Sequence, residues 1–181
     1  MKNHVLNIAP GKVVSYRGKP CIVLEHREEG TLLMDAERVK YSFGASNNFA
    51  ASSLRALLNG TYLDSITQGH SDEVITRTVD LTALNGSKEY GMVECKAAPL
   101  TLDELRKYHS IIPKPEGFEW SATPWSTPCV NDDHRRVIGL DSGGDLGNSG
   151  NYCSSAYGSR PAFLIPSDFA VEELYPEERV K

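Results

Sequence analysis

Cysteine and histidine, two residues that often bind zinc, recur in this chain at one spacing. Cys21 with His26 and Cys129 with His134 both read C-x4-H, and zinc prefers sulfur and imidazole ligands in a tetrahedron. Cys21 lies in an apolar run typical of a strand, however, and the two pairs stand in unrelated contexts. The sequence therefore predicts no zinc site. The four scattered cysteines form no C-x-x-C pair and are expected to be reduced and mostly buried.

Oxygen ligands suited to calcium are frequent in the segments towards the carboxyl end. They are Asp132, Asp133, Asp141, Asp145, Asn148 and Asn151. No EF-hand spacing connects them, and Asp and Asn are also ordinary turn residues. We therefore predict no cofactor and keep calcium, at Asp141 and Asp145, as the one metal to test.

Nucleophilic catalysis requires a serine or cysteine beside a base. The chain has no G-x-S-x-G motif, and its SGGDLG segment has the glycines of a phosphate-binding loop without the lysine. Cys153 with His134 or His109 would supply a nucleophile and a base, but nothing in the sequence brings them together. The residues alone therefore predict a protein that is not an enzyme.

The most distinctive segment is 141–159, in which nearly every residue is Gly, Ser, Asn, Asp or Tyr. Tyrosine offers a large contact area at low entropic cost, and Ser, Gly and Asn offer adaptable hydrogen bonds, as in antibody loops. The segment leads into the apolar run Ala162–Ile165, so we expect a surface loop held by a strand. The expected ligand contacts are Trp125, Asp132, Asp133, Ser149, Asn151, Tyr152, Ser155 and Tyr157. The alternative is a connection that only needs turn residues, with Trp120 and Trp125 in the core.

Apolar patterns predict the elements that position this loop. Period-two or short apolar runs with turn residues between them indicate strands; these are Lys12–Tyr16, Cys21–Leu24, Thr31–Met34, Glu73–Leu81, the hairpin Val137–Leu146 and Ala162–Ile165. The helical spacing of Leu54, Leu57 and Leu58 predicts a helix that Ser52 or Ser53 caps and Asn59-Gly60 ends.

A second helix is expected in PLTLDELRKYH, after Pro99, where Thr101 and Glu104 form a capping-box pair. Strands, then two helices, then strands and long loops describe an α+β fold. We expect a single domain over 1–181, with its core at about 12–166 and a charged tail, 172–181, that frays.

Composition limits the partners of such a domain. The chain has 181 residues, of which 40% are hydrophobic and 24% charged, and a formal net charge of -5. This is the composition of a globular protein, and the charge disfavours nucleic-acid binding. The start has no apolar region suited to a signal peptide, and no window approaches the ~20 apolar residues of a membrane span. A cytoplasmic protein is expected, or one that leaves the cell without a cleaved signal.

Several phrases resemble a family of bacterial and phage domains of unknown function. They occur in order as NNFAASSLRALLNG, PLTLDELRKY, LDSGGDL and GSRPAFLI, and members of the family carry an S-S-L-R-x-W-L-N-G helix and a closing G-x-R-P-A strand. The resemblance covers about residues 12–166. That family is similar to C-type-lectin-like folds, which also house phage receptor-binding tips and the variable proteins of diversity-generating retroelements.

The resemblance implies a phage- or prophage-encoded module that binds a protein or glycan on a cell or virion surface. It implies a scaffold whose two ends meet in one sheet, with long loops that display contact residues, and it permits an oligomer. Two other functions stay open: an oxidative enzyme of the formylglycine-generating type that uses Cys129 or Cys153, and a structural subunit of an assembly. The closing arginine, Arg160, either bridges loops through a carboxylate or carbonyl groups or points into a ligand pocket, and we favour the bridge.

Overall fold

The computed structural model of the chain describes residues 2–130, 134–146 and 151–175. In chain order, its first seven strands are β1 Lys2–His4, β2 Val13–Tyr16, β3 Lys19–His26, β4 Thr31–Asp35, β5 Val39–Lys40, β6 Arg77–Asp80 and β7 Met92–Cys95. The second seven are β8 Ala97–Ala98, β9 Glu119–Pro124, β10 Arg136–Leu140, β11 Asn151–Tyr152, β12 Gly158–Ser159, β13 Ala162–Ile165 and β14 Ala170–Leu174. The α-helices are α1 Ser53–Leu57, α2 Leu63–Thr67 and α3 Leu102–Lys107.

The strands form three sheets that are antiparallel except at one pair. The largest has the order β1-β14-β2-β3-β4-β13-β8, the second has the order β11-β10-β9-β12-β5, and β6 pairs with β7 alone. Only the single-residue pairing of β12 with β9, through Gly158 and Glu119, is parallel among the paired strands of the described ranges. The α+β class predicted from the sequence is confirmed.

The large sheet separates two apolar cores. One face, represented by Tyr16 and Phe163, packs with the helical segment, the second sheet and the β6–β7 pair. The opposite face, represented by Ile22 and Met34, packs under α3 through Leu105. Successive side chains along a strand point to opposite faces of the sheet, so neighbouring residues of one strand contribute to different cores.

The first predicted helix begins and is interrupted where the sequence predicts. Ser52 Oγ accepts a hydrogen bond from the Arg55 backbone N–H at 3.0 Å, which caps α1. Gly60 leaves helical geometry, with φ -117° and ψ -110°, and kinks the chain between α1 and α2. The predicted stop at Asn59-Gly60 is therefore confirmed as a break, and the short helix α2 that follows it buries Leu63 and Ile66.

The capping box predicted for the second helix is present. Thr101 Oγ1 accepts from the Glu104 N–H, and the Glu104 carboxylate accepts from the Thr101 N–H. These bonds satisfy backbone donors that the first helical turn leaves free. They also fix the Glu104 side chain at the edge of α3, where it meets the large sheet.

Both ends of the described chain belong to the large sheet. β14 lies between β1 and β2, and the Val171 side chain is 1% exposed. The core therefore extends beyond the predicted limits of 12 and 166. The prediction of a fraying tail from residue 172 is wrong as far as Leu174, because strand pairing and the burial of Val171 hold this segment; residues 176–181 lie outside the described residues.

Candidate binding surface

The predicted contact residue Tyr152 lies on β11, a short strand that pairs with β10 at the edge of the second sheet. Its side chain is 48% exposed. The ring centroid is 5.0 Å from the Arg136 guanidinium carbon and 5.9 Å from that of Arg135, and Arg136 Nη2 lies 3.4 Å from the Tyr152 hydroxyl. Cations at these distances interact favourably with an aromatic ring and orient it.

Tyr157, the second predicted tyrosine, has a different environment. Its ring packs edge-on against Phe118 and Trp120, with centroid separations of 5.1 and 5.2 Å. The ring is half-buried against the main core, and its hydroxyl donates to the Asn151 side-chain oxygen at 3.4 Å. The Tyr157 ring therefore holds segment 141–159 against the core, and only part of the ring is exposed to solvent.

Backbone hydrogen bonds fasten the described part of the segment to its neighbours. The Gly44 N–H donates to the Cys153 carbonyl at 3.1 Å, the Cys153 N–H donates to the Arg135 carbonyl at 2.7 Å, and the Tyr41 N–H donates to the Tyr157 carbonyl at 3.1 Å. The Ser155 N–H bonds back to the Tyr152 carbonyl at 2.9 Å and closes a turn. The displayed ring of Tyr152 thus stands on a fixed backbone.

The other predicted contacts are placed unevenly. Trp125 is half-buried, and its backbone N–H donates to the Arg136 carbonyl at 3.0 Å. This bond places Trp125 where β9 pairs with β10, close to β11, the strand of Tyr152. Ser155 and Asn151 are half-buried. Asp132, Asp133 and Ser149 lie outside the described residues. Trp120 is 3% exposed, so it belongs to the core.

The cysteines follow the prediction of free, mostly buried thiols. Cys21, Cys95 and Cys153 are buried, and Cys129 is exposed. Burial raises the pKa of Cys153 above its ordinary value, which opposes formation of the thiolate that a nucleophile requires.

The two candidate calcium ligands are part of a turn. Asp141 Oδ1 accepts from the N–H groups of Gly143 and Asp145 at 2.8 and 3.0 Å, which is the usual bonding of an Asp that begins a turn. Over residues 2–130, 134–146 and 151–175, no three His, Cys, Asp or Glu residues are grouped so that they could hold a metal ion.

Arg160 is 7% exposed. Its Nε donates to Glu119 Oε2 at 2.8 Å and its Nη2 donates to the Pro113 carbonyl at 2.9 Å. A carboxylate and a carbonyl are thus joined by one guanidinium, which ties β9 and the segment before it to the start of β13.

Sequence reasoning missed two features of the surface. Arg135 and Arg136 are the cations beside the Tyr152 ring. Tyr41, which is 41% exposed, directly follows β5, and its backbone N–H donates to the Tyr157 carbonyl. The two arginines at the start of the apolar strand β10 were a usable signal. Side chains alternate between the two faces of a strand, so one of the two was expected beside a residue of the paired strand.

No protein-family model matches this chain, and no match is found among curated proteins or solved structures. In the part of the chain that the structure describes, none of the helices has the length and apolar character required to cross a bilayer.

Proposed function

We propose that the chain is a non-catalytic ligand- or receptor-binding module with a C-type-lectin-like arrangement. The observation that carries this proposal is Tyr152, a large exposed ring that the guanidinium groups of Arg135 and Arg136 both approach, on a strand whose backbone is fixed. Aromatic and arginine side chains dominate binding energies at protein interfaces. The pairing of β1 with β14 also supports the proposal, since the resemblance implies a scaffold whose two ends meet in one sheet.

The chemistry of this surface defines the ligand class. An exposed phenol ring packs against the apolar face of a sugar or side chain, and the two guanidinium groups attract carboxylate or sulfate groups. A protein or glycan ligand with acidic groups, displayed on a cell or virion surface, fits this combination.

The test is binding of fluorescently labelled protein to panels of bacterial cells and of immobilised neutral and acidic glycans. Tyr152→Ala should weaken the strongest interaction roughly tenfold or more, as removal of a central aromatic contact does. Met92→Ala is the matched control, because Met92 is 66% exposed on the separate β6–β7 pair, and it should bind as the native chain does.

A second pair of measurements separates display from packing. Tyr152→Ala should leave the free energy of unfolding within about 0.5 kcal/mol, whereas Tyr157→Ala should lower it by about 2 kcal/mol because its ring is half-buried among Phe118 and Trp120. Equal binding by native protein and Tyr152→Ala, or a comparable loss of stability in both variants, would contradict the proposal.

A further inference from the structure

A cleft of about 840 Å³ opens on the α3 side of the large sheet, away from Tyr152. Its apolar floor includes Val13 and Ile22, which face each other on β2 and β3, and Leu174 on β14, which pairs with Val13. Residues 113–116 form another part of its lining. The volume is within the range of small-molecule sites.

The inner end of the cleft contains a carboxylate whose bonding is incomplete. Glu119 is 5% exposed, and its Oε2 accepts the 2.8 Å bond from Arg160. Its Oε1 is buried and accepts no hydrogen bond in the described part of the chain. Arg38 Nε lies 3.5 Å from that oxygen, which satisfies the distance of an ion pair but not the alignment of a hydrogen bond.

Arg38 is the second incompletely bonded group. Its side chain is 19% exposed, and its Nε is buried and donates no hydrogen bond within the described ranges. The guanidinium lies against two glycines: a Cβ on Gly158 would stand 2.3 Å from Nε, and one on Gly117 would stand 3.4 Å from Nη1. The absence of a side chain at Gly158 leaves room for the arginine at this place, whereas the distance at Gly117 is an ordinary van der Waals contact. Nε is enclosed beside Glu119 Oε1, but the side chain is partly exposed and lines the cleft, so the outer part of the guanidinium can donate to an acceptor from a ligand.

The charges at the cleft favour an anion. Lys40 and Lys114 line it and make no ion pair with any described residue. Of the acidic lining residues, Glu37 pairs with Lys19 at 3.2 Å, and Glu119 is neutralised by Arg160. The remaining charges in the lining are one negative side chain, Glu116, and three positive ones, Arg38, Lys40 and Lys114. The net charge of the cleft is therefore positive.

We propose that this cleft binds a small molecule that carries a carboxylate or phosphate group on an apolar body. The oxyanion accepts hydrogen bonds from the Arg38 guanidinium and is attracted by Lys40 and Lys114, and the apolar part covers Val13 and Ile22. Guanidinium and oxyanion form charge-assisted hydrogen bonds, which are stronger than neutral ones. The site is separate from the surface around Tyr152 and does not depend on the function proposed for it.

The experiment is a titration of ¹⁵N-labelled protein, followed by backbone amide shifts, with phenylacetate, phenyl phosphate and the neutral phenylacetamide. At least one of the two anions should cause saturable shifts in residues 36–40 and 116–119 at concentrations on the order of 10 mM or below, while the amide should cause none there. The two anions distinguish a carboxylate site from a phosphate site.

Arg38→Gln should weaken the anion roughly tenfold, as loss of a charge-assisted hydrogen bond does. Lys88→Gln is the matched control, because Lys88 is exposed and lies outside the cleft, and its affinity should equal that of the native chain. The double variant Lys40→Gln/Lys114→Gln changes exposed side chains only. This double variant should lower the affinity for the anion several-fold. It tests the proposal in place of Arg38→Gln if the spectrum of Arg38→Gln is not that of a native fold.

Three results would overturn the proposal: equal binding of phenylacetamide and phenylacetate, no saturable shift in these segments with either anion, or unchanged affinity in Arg38→Gln or, where that variant does not fold, in the double lysine variant. Shifts confined to β11 would also overturn it and would support the function proposed for Tyr152 instead.

Discussion

Two clusters of buried charge hold this fold together, and they differ in how completely their carboxylates are bonded. In the first, between α3 and the large sheet, Glu104 accepts from Arg77 at 2.6 Å and from the Thr101 N–H at 3.0 Å on its two oxygens. In the second, at the cleft, Glu119 accepts one hydrogen bond, from Arg160, and none on Oε1 from the described residues.

The pKa values of these carboxyl groups shift in opposite directions. Burial raises the pKa of Glu104, but the charge and hydrogen bond of Arg77, with the Thr101 N–H, outweigh it, so the pKa is lowered. Burial also raises the pKa of Glu119, and here the attraction of Arg160 and Arg38 does not offset it, so the pKa stays raised. Each carboxylate has a hydrogen-bonded arginine, but Glu104 also accepts a bond from the Thr101 N–H, so an arginine partner alone does not decide the direction.

The difference indicates separate purposes. A carboxylate bonded on both oxygens stabilises the native chain without further partners, as Glu104 does. An arginine at a cleft whose donors lack acceptors costs stability, and an anionic ligand recovers part of that cost when it accepts hydrogen bonds from the guanidinium. The cluster at α3 is therefore structural, and the cluster at the cleft combines a structural half, Arg160, with a binding half, Arg38.

The largest expected effect is that of removing Glu104. Glu104→Ala leaves Arg77, whose side chain is 3% exposed, without its carboxylate and also removes the capping box. We expect a loss of about 4 kcal/mol in the free energy of unfolding, measured by urea denaturation. Asp103→Ala is the matched control on the same helix, since Asp103 is 90% exposed and, among the described residues, forms an ion pair only with Arg106; it should cost less than about 0.5 kcal/mol. Similar losses in the two variants would contradict a structural role for the α3 cluster.

Removal of Arg160 should cost somewhat less, and its cost should depend on pH. Arg160→Met leaves Glu119 buried without its donor, with an expected loss of about 3 kcal/mol at pH 7. The raised pKa of Glu119 rises further in the variant, so its carboxyl takes up a proton at a higher pH than in the native chain as the pH falls from 7 towards the ordinary pKa of a glutamate. Protonation removes the buried charge, and the deficit relative to the native chain should shrink over this range. A deficit that is constant from pH 7 to 5 would show that Glu119 is not the group responsible.

Glu25 joins the α3 cluster through Arg27, which lies 2.8 Å from the Glu25 carboxylate and 3.5 Å from that of Glu104, and it gives the opposite dependence on pH. Burial raises the pKa of Glu25, but hydrogen bonds from Lys107, Tyr108 and Arg27 lower it from 4.5 to about 2. The stabilisation is present above the ordinary pKa and is lost as the pH falls through 4.5 towards 2. Glu25→Gln should therefore cost about 1 to 2 kcal/mol at pH 7, since the group is partly exposed, and the difference should vanish near pH 2.

Glu28→Gln is the matched control for this pH series, because Glu28 is exposed in the turn that follows Glu25. Its free energy of unfolding should follow that of the native chain within about 0.5 kcal/mol from pH 7 to 2. A Glu25→Gln deficit that persists at pH 2 would mean that lost packing, and not the carboxylate charge, is what the substitution removes.

The parts of this comparison that depend on neighbouring residues were predictable from the sequence. The Thr101–Glu104 capping box and the Ser52 cap were both identified, because caps depend on residues two or three positions apart. The strands over Thr31–Met34 and Ala162–Ile165 were identified as well, since buried apolar runs are local. Gly60 interrupts the helix as predicted, but the short helix α2 after it was not identified, because the burial of Leu63 and Ile66 is not visible in the sequence.

The site features depend on pairings between distant segments, and the sequence does not specify these. Arg38, Glu119 and Arg160 meet because β12 pairs with both β5 and β9, and no local pattern predicts that order. Tyr152 and Tyr157 lie in the same kind of sequence, yet one ring is displayed and the other packs on Trp120. The composition of segment 141–159 predicts a surface loop, but the pairing of its strands decides which of its two tyrosine rings faces the solvent.

The smallest expected change in stability sharpens the comparison within the cleft. Arg38→Gln removes a guanidinium that makes no aligned hydrogen bond with a described residue, so we expect a change below about 1 kcal/mol at pH 7 by urea denaturation. Arg160→Met in the same cluster should cost about three times as much, although both arginines contact Glu119. Equal costs would mean that Arg38 is a structural partner of Glu119, and the separation of the cluster into a structural and a binding half would fail. A small loss of stability together with roughly tenfold weaker anion binding would mean that Arg38 contributes to the bound state and little to the stability of the free protein.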